Sequence, residues 1–272
     1  MDIKALLALP FNLPSLPRVV ALLLFELDRP QPDLLRITQL ISSDACLSAR
    51  LLSVSNAAYF QLSGQVHSVS ESLALLGLGH VRSMAAQAVG SSSFKVAPGL
   101  NLQQFSTYSL NVGKVARSLG GLLRIDQQAA FTCGLVHAMG ELTMLQLMPD
   151  DMAAVHEDAI TLNLRRAEYE MRQLGYCYAH VAAGMARQWA YPKDMVEALE
   201  HQCYPFENDV YEPLAGVLHL ATWRARAKEA NLDQRGMAVT FPGEVGDMLK
   251  LDIDMVLQQD PIDWFSAKSG KA

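Results

Sequence analysis

The stretch QPDLLRITQLISSDACLSARLLSVSNAAYF, residues 31–60, contains two helical patterns in succession. In its first half, Leu34, Ile37 and Ile41 recur at the spacing that places side chains on one face of a helix. Pro32 stands just before them, and proline suits a first helical turn because its fixed φ is already helical. This half predicts an amphipathic helix.

The second half of the same stretch predicts another helix. Leu47, Leu51 and Val54 form its apolar stripe. Ser43 is the expected N-cap, because a serine hydroxyl can accept a hydrogen bond from a free backbone N–H of the first turn. Nearly every other segment repeats the helical period and none alternates convincingly as a strand would, so the sequence predicts an all-α fold.

Glycines and one capping pattern predict where other helices begin and break. Ser68 stands three residues before Glu71, which is the spacing of a capping box. Gly77 and Gly79 interrupt an apolar run and predict either a break or close packing between helices, and Gly120 with Gly121 predict the end of a helix. The helices expected downstream lie at 106–121, 127–147, 161–174, 178–190, 193–202 and 211–230, with a short one at 243–251.

Composition excludes several classes of function. The chain has 272 residues, 50% of them hydrophobic, and a net charge of -6, so it lacks the positive field that draws proteins to nucleic acid or anionic membranes. Its longest apolar run, residues 19–25, is far shorter than the roughly 20 residues that cross a bilayer. Residues 1–17 lack the basic start of a secretory signal. We expect a cytoplasmic protein that binds neither membrane nor nucleic acid.

Cysteine and histidine side chains are the obvious metal candidates. The four cysteines form no CxxC pair, which argues against a disulfide framework or a zinc ribbon and predicts reduced thiols. Helical spacing could still assemble a metal cage, but such residues on apolar helix faces are commonly core residues. The side chains concerned are Cys133, His137, Cys177, His180, His201 and Cys203. We expect no metal and no cofactor.

Signatures of nucleophilic catalysis and of phosphate binding are missing from the sequence. It contains no GxSxG elbow, no P-loop and no strand that could carry a GxGxxG loop. The run WRARAKE, residues 223–229, places Arg224, Arg226 and Lys228 around more than half of a helix circumference. A solvated surface is the expected role of this run, and an anion site is the alternative.

The N-terminal half carries a series of short motifs between residues 16 and 77. They are a Leu-Pro start, an acidic residue before a helix with Arg-Leu-Leu, an Asn near an aromatic pair, and a Leu-Leu-Gly. In this order they resemble the HDOD family, whose second half is similar to the helical core of the HD phosphohydrolases. The residues that carry the resemblance are Leu16, Pro17, Asp44, Arg50, Leu51, Leu52, Asn56, Tyr59, Phe60, Leu75, Leu76 and Gly77.

The resemblance implies two helical bundles packed together and a tail. Residues 1–98 correspond to the N-terminal helical subdomain, and residues 99–230 correspond to a degenerate HD-like core. The resemblance does not extend to residues 231–272, which form a C-terminal extension without an assigned role. For the pattern residues we expect structural roles: Asn56 caps or crosses a turn, and the aromatic pair Tyr59 and Phe60 fills the join between the two halves.

Catalytic HD proteins hold metal with a His, a His-Asp pair and a later Asp, and this chain departs from that pattern. The early His corresponds to Tyr108, the His-Asp pair to His137 and Ala138, and the later Asp to Thr222. A basic residue that often follows the HD motif is replaced by Glu141. One of the four principal ligands remains, and it brings no anionic charge to hold a divalent ion.

A further histidine of the family corresponds to Tyr178 here, with His180 two positions later. The resemblance therefore implies a bacterial signalling module without catalysis, which acts in trans through an unidentified signalling protein. An alternative is a sensor that binds a small anion or a nucleotide in the vestigial pocket. We expect Tyr108, His137, Tyr178, His201 and Thr222 to line this pocket, which also includes Ala138, Glu141, His180 and Arg224. A third hypothesis is a phosphohydrolase with ligands rearranged from Cys133, His180 or His201.

Overall fold

The computed structural model of the chain describes residues 1–57, 64–91 and 100–259. The prediction of an all-α fold is confirmed, since these residues form helices and no strand. In chain order the helices are α1 (Ile3–Ala8), α2 (Pro17–Leu27), α3 (Leu34–Ser42), α4 (Ala45–Ser55), α5 (Val69–Ser91), α6 (Leu102–Leu123), α7 (Gln127–Val136), α8 (Met139–Leu147), α9 (Pro149–Asp158), α10 (Arg166–Leu174), α11 (Tyr178–Gln188), α12 (Lys193–His201), α13 (Pro213–Glu229), α14 (Gln234–Thr240), α15 (Gly243–Leu249) and α16 (Ile253–Leu257).

Helix α4 begins at an aspartate and not at the serine that we predicted as its cap. Asp44 is the N-cap, and its Oδ1 accepts a hydrogen bond from the backbone N–H of Leu47 at 2.9 Å. Ser43 instead closes α3, because its hydroxyl donates to the carbonyl of Leu40 at 2.7 Å. A carboxylate is the stronger cap here, since it also compensates the positive end of the helix dipole.

The glycines have different effects from one helix to another. Gly77 has φ 69° and ψ 172°, so the predicted break inside α5 is confirmed. Gly120 and Gly121 do not stop α6, which continues to Leu123 and ends at Arg124 with a left-handed φ of 57°. The predicted stop was wrong because Gly120 serves packing: a Cβ there would lie 3.1 Å from the Cβ of Ala130 on α7.

Helices α6 and α7 touch backbone to backbone further along the same interface. A Cβ at Gly134 of α7 would lie 2.7 Å from the Cα of Gly113 on α6, a distance that no real Cβ contact reaches. Two glycines facing each other therefore allow the helix axes to approach closely. This approach brings Tyr108 of α6 beside His137, the residue that follows α7.

The single helix predicted at 127–147 is two helices. His137 and Ala138 separate α7 from α8, and Ala138 has the non-helical angles φ -102° and ψ 13°. Packing explains the change of direction, since α8 must lie against α11 so closely that a Cβ at Gly140 would collide with the carbonyl oxygen of Tyr178. The chain bends at the position that the HD-like pattern singles out.

Other boundaries also differ from the predictions. The helix expected at 161–174 begins only at Arg166, and the preceding residues form a loop in which Leu162 has a left-handed φ of 71°. Helices α1, α2, α9, α14 and α16 were not predicted. The boundary that we placed before residue 99 lies outside the described residues, as do Tyr59 and Phe60.

The hydrophobic core is continuous from α1 to α16 and includes residues of both halves of the chain. In the C-terminal half, α6 packs on α7 and α13, while α11 packs on α8 and α12. These helices enclose the residues that the HD-like pattern indicates. Among the described residues, no helix has both the length and the apolar content required to cross a membrane.

Candidate functional site

The site begins with a histidine that is hydrogen-bonded on both sides of its ring. His137 is fully buried, its Nδ1 lies 2.7 Å from the carbonyl oxygen of Gly134, and its Nε2 lies 3.0 Å from the hydroxyl of Tyr108. A carbonyl only accepts, so Nδ1 carries the proton and Nε2 accepts the hydroxyl hydrogen of Tyr108. Both ring nitrogens are therefore used within the protein.

A buried arginine continues this hydrogen-bonded chain. Arg226 of α13 donates from Nε to the Tyr108 hydroxyl at 3.0 Å and from Nη1 to the carbonyl of Asn163 at 2.9 Å. Its guanidinium carbon lies 5.9 Å from the ring centre of Tyr108 and 5.2 Å from that of Tyr178, which is cation–π distance. The positive charge thus lies between two aromatic rings, and only 3% of the arginine is exposed.

Burial and the arginine charge set the protonation of this chain. The pKa of His137 is lowered to about 3, first by burial and then by the positive charge of Arg226. Burial raises the pKa of Tyr108 to about 12, although Arg226 opposes that shift. At neutral pH the imidazole and the phenol are therefore neutral, and Arg226 carries the charge.

Arg226 also lines a cavity of about 570 Å³ beside this chain. The loop at 160–165, α13 and residues 202–204, which follow α12, form much of its wall. Tyr178 and Thr222 line it as predicted for the vestigial pocket, whereas Tyr108, His137, Ala138 and Glu141 lie behind the wall in the buried core.

A second group of buried charges lies next to this centre. Arg166 forms ion pairs from Nε to Glu141 at 3.2 Å and to Glu170 at 2.9 Å, and all three side chains are fully buried. Glu170 also accepts a hydrogen bond from the backbone N–H of Tyr178 at 2.8 Å, which holds the start of α11. Burial, followed by the charge of Glu141, raises the pKa of Glu170 to about 7.

Three residues of the predicted pocket lie elsewhere. The Nδ1 of His180 accepts a hydrogen bond from the backbone N–H of Cys177 at 3.1 Å, within the first turn of α11. His201 lies beside Glu197 and Glu200, with ligand atoms that are all within 4.8 Å of one another. Arg224 is half-buried, and none of these residues lines the cavity. The prediction was wrong for them because helix rotation turns neighbouring positions to different sides.

Arg226 is the residue of this site for which the sequence predicted the wrong environment. The run at 223–229 predicted a solvated surface, yet Arg226 is buried while Arg224 and Lys228 are half-buried. The signal was present in the spacing, since Arg226 stands one helical turn after Thr222 and shares its face.

The predicted metal candidates do not come together as a cage. Among the described residues, the group of three or more possible metal ligands within mutual reach is Glu197, Glu200 and His201, and it contains no cysteine. Cys133 is a fully buried core residue of α7. Cys203 lines the cavity, and a hydrogen bond with Cys177 lowers its pKa.

The N-terminal pattern residues connect the chain ahead of α2 to α4 and α5. Asp44 accepts from the N–H of Leu16 at 2.6 Å, and Arg50 donates to Asn12 at 2.8 Å. Asn56 ends α4, and its side-chain amide forms two hydrogen bonds with the backbone of Val66, which lies near the start of α5. These contacts hold the backbone, and none of these residues lines the cavity.

Comparisons with known proteins agree with this architecture. The family model of the HDOD domain matches residues 13–205. A curated "Uncharacterized protein" of Treponema pallidum is 24% identical over 220 residues, which is 79% of this chain and 42% of that protein, so the chain spans less than half of this relative.

Two solved structures have a similar fold. The MmoQ response regulator of Methylococcus capsulatus superposes with a TM-score of 0.72 at 20% identity, covering 91% of this chain and 97% of that chain. A virulence factor of Campylobacter jejuni superposes with a TM-score of 0.70 at 18% identity, covering 96% and 97%. At these identities the likeness concerns the fold alone.

Proposed function

We propose that this chain, which belongs to the HDOD domain family, is a regulatory module of a signalling pathway that binds a protein partner and hydrolyses no phosphate ester. One observation carries the proposal. The histidine that remains of the HD-like ligand pattern, His137, has both ring nitrogens in hydrogen bonds within the protein.

A metal ligand must offer a lone pair, and His137 has none free. Its Nδ1 bears the proton donated to Gly134, and the lone pair of Nε2 accepts the hydroxyl of Tyr108. A metal could bind Nε2 only if the Tyr108 hydroxyl moved away from it. The hydroxyl would then lose the acceptor of its own hydrogen, although its oxygen would still accept from Arg226. The hydrogen-bonded chain therefore competes directly with coordination.

Charge opposes a metal at the same place. A hydrolytic site binds a divalent cation with carboxylates and uses it to lower the pKa of water. Here Ala138 and Thr222 stand at the two positions where the pattern has aspartates, and the guanidinium of Arg226 is already bound to Tyr108. A buried positive charge repels a second cation strongly, because screening by water is weak there. The pocket thus favours anions over metals.

The partner-binding role is supported by the family and by the scaffold. One similar structure carries the name of a response regulator, which describes that protein and is consistent with a signalling role here. The described helices share one continuous core, so they present a rigid surface to a partner. A pathway protein bound in trans is the kind of partner that we propose.

Hydrolysis assays test the absence of catalysis. The purified chain is mixed with Mn²⁺, Mg²⁺, Fe²⁺ or Zn²⁺ and with cyclic dinucleotides or nucleoside phosphates, and product is measured for wild type and His137→Gln. We expect no metal-dependent turnover in either protein. Turnover that needs the metal and disappears in His137→Gln would contradict the proposal.

Partner binding is tested separately. The tagged chain is purified from its native host beside a tagged unrelated protein, and each enriched protein is then produced alone and mixed with the purified chain. We expect at least one signalling protein to bind the purified chain saturably, and His137→Gln to bind it equally well. Failure of every enriched protein to bind in the purified mixture counts against the regulatory role.

A further inference from the structure

The cavity beside Arg226 has the size and the walls of a small-molecule site. Its volume of about 570 Å³ lies within the range typical of ligand pockets, roughly 300 to 1,000 Å³. Tyr178, Trp223 and Leu164 supply flat or apolar wall, and the loop at 160–165 covers one side. The space is therefore large enough for an organic molecule with a ring.

Four buried polar atoms of this wall have no hydrogen-bond partner among the described residues. Arg226 uses Nε and Nη1 in hydrogen bonds, and its third nitrogen, Nη2, is buried without a hydrogen-bond partner among the described residues. The hydroxyls of Thr222 and Thr161 and the Oε1 of Gln202 are buried without a partner in the same part of the structure. Buried polar groups of folded proteins are usually hydrogen-bonded, so these four atoms beside one cavity are available to a polar ligand.

The charges of the wall decide how much negative charge a ligand can bring. Arg165 and Glu168 pair with each other at 2.7 Å, and Glu229 accepts a hydrogen bond from Gln104 at 3.0 Å. Arg226 has no carboxylate within ion-pair distance in the described part of the chain. One negative charge would neutralise it, whereas a polyphosphate would place further charge beside Glu168 and Glu229.

Two groups of the wall, the side chains of Gln202 and His219, offer acceptors to a hydrogen-bond donor of the ligand. Gln202 donates from Nε2 to the carbonyls of His137 and Leu199, so its free oxygen Oε1 can only accept. His219 lies with Nδ1 2.8 Å from the carbonyl of Gln202, which leaves the lone pair on Nε2. Burial lowers the pKa of His219, and the ring stays neutral.

We infer that this cavity binds a small organic monoanion whose carboxylate pairs with Arg226 and the hydroxyl of Thr222, and whose N–H or O–H donates to Gln202 or His219. The ring or alkyl body of the ligand packs on Tyr178 and Trp223. This binding role goes beyond the regulatory function proposed above and does not depend on the identity of the protein partner.

Calorimetric titration of the full chain tests the ligand class with four probes. Indole-3-acetate carries one carboxylate and one ring N–H, indole-3-acetamide has the same shape without the charge, and AMP and inorganic phosphate supply phosphate. We expect indole-3-acetate to bind saturably at one site, and the amide to bind at least tenfold more weakly. Equal binding of acid and amide, tighter binding of AMP or phosphate, or no heat with any probe up to millimolar concentration would overturn the inference.

Variants show whether binding occurs at this place. Arg226→Gln should weaken indole-3-acetate binding at least tenfold, and Thr222→Val should weaken it severalfold while the fold remains intact by circular dichroism. Arg224→Gln is the matched control, since it removes an arginine from the same helix without touching the cavity wall. If Arg226→Gln does not fold, Thr222→Val decides, and unchanged affinity in that variant places the probe elsewhere.

Discussion

Two buried polar centres of this protein differ in how completely their hydrogen-bonding groups are used. In the N-terminal half, the carboxylate of Asp44 accepts from the backbone N–H groups of Leu16 and Leu47 at 2.6 and 2.9 Å. The amide of Asn56 both donates to and accepts from the backbone of Val66, at 3.0 and 3.1 Å. This centre is a closed joint between backbone segments.

The C-terminal centre, formed by Arg226, Thr222 and Gln202, is also buried, but not all of its hydrogen-bonding groups are used within the described part of the chain. Arg226, Thr222 and Gln202 each retain a buried polar atom without a hydrogen-bond partner among the described residues. Glu141 is paired with Arg166 by charge, but its carboxylate oxygens make no hydrogen bond. The comparison shows that burial alone does not indicate the role of a polar group: a saturated group joins the scaffold, and an unsaturated group beside a cavity is available to a ligand.

The largest expected difference is between the two buried arginines. Arg166→Met leaves the carboxylates of Glu141 and Glu170 buried without a cation, and we expect a loss of about 3 to 5 kcal/mol in unfolding free energy. Arg226→Met removes a cation that has no carboxylate partner within the described part of the chain, and we expect it to cost about 1 to 2 kcal/mol. Urea denaturation of both variants gives the values. Equal losses would show that Arg226 stabilises the fold as much as Arg166 does, and would contradict the assignment of a structural role to Arg166 and a ligand-binding role to Arg226.

The closed joint is tested at its carboxylate. Asp44→Ala leaves two buried N–H groups without an acceptor, and we expect a loss of about 3 kcal/mol. Asp33→Ala is the matched control, because Asp33 caps α3 in the same way on an exposed surface, and its loss should be about 1 kcal/mol. Both values come from urea denaturation. Similar losses in the two variants would show that Asp44 stabilises the protein only as a helix cap, and that its hydrogen bond with Leu16 adds nothing.

The pH dependence of stability reports on His137. The pKa of His137 is about 3 in the folded protein, below the usual value of 6.5. Below pH 6.5 the imidazole therefore binds a proton in the unfolded chain but stays neutral in the folded protein. Stability therefore falls as the pH falls, by about 2 kcal/mol between pH 6.5 and pH 5 at the limiting slope. His137→Gln should lack this component when unfolding free energies are compared across that range. A parallel pH profile in the variant would show that His137 titrates normally.

The smallest expected effect concerns two buried threonines. Thr222→Val removes a hydroxyl that has no hydrogen-bond partner among residues 1–57, 64–91 and 100–259, and we expect a change in unfolding free energy within about 0.5 kcal/mol. Thr143→Val is the matched control, because the Thr143 hydroxyl donates to the carbonyl of Met139 at 3.2 Å and its loss should cost about 1 kcal/mol. Thermal unfolding measures both. A larger loss at Thr222 than at Thr143 would mean that its hydroxyl is bonded after all.

Much of the local structure was predictable, because helix periodicity and capping depend on neighbouring residues. The apolar period predicted α3, α4, α11 and α13 close to their observed bounds, and Gly77 marked a real break. The misplaced cap of α4 and the split of α7 from α8 have another origin. Asp44 is used from both sides, by its own helix and by Leu16, and the bend at Ala138 serves the packing of α8 on α11.

The candidate site was predictable only in part. Alignment of motifs identified Tyr108, His137, Tyr178 and Thr222, all of which lie in or directly behind the cavity wall. The motifs could not show which of Arg226 and Arg224 faces the cavity. Residues two positions apart lie on nearly opposite faces of a helix, and the helices that pack against α13 decide which face points inward. His180 and His201 were misplaced for the same reason.

The sequence by itself determined that this protein is built from helices, and its motif order determined the family to which it belongs. Both follow from relations between residues that are near each other in the chain. The tertiary structure alone decided that Tyr108, His137 and Arg226 form one hydrogen-bonded chain, since they come from α6, the end of α7 and α13. Which polar atoms remain without a partner depends on these distant approaches, because hydrogen bonding is sensitive to tenths of an ångström.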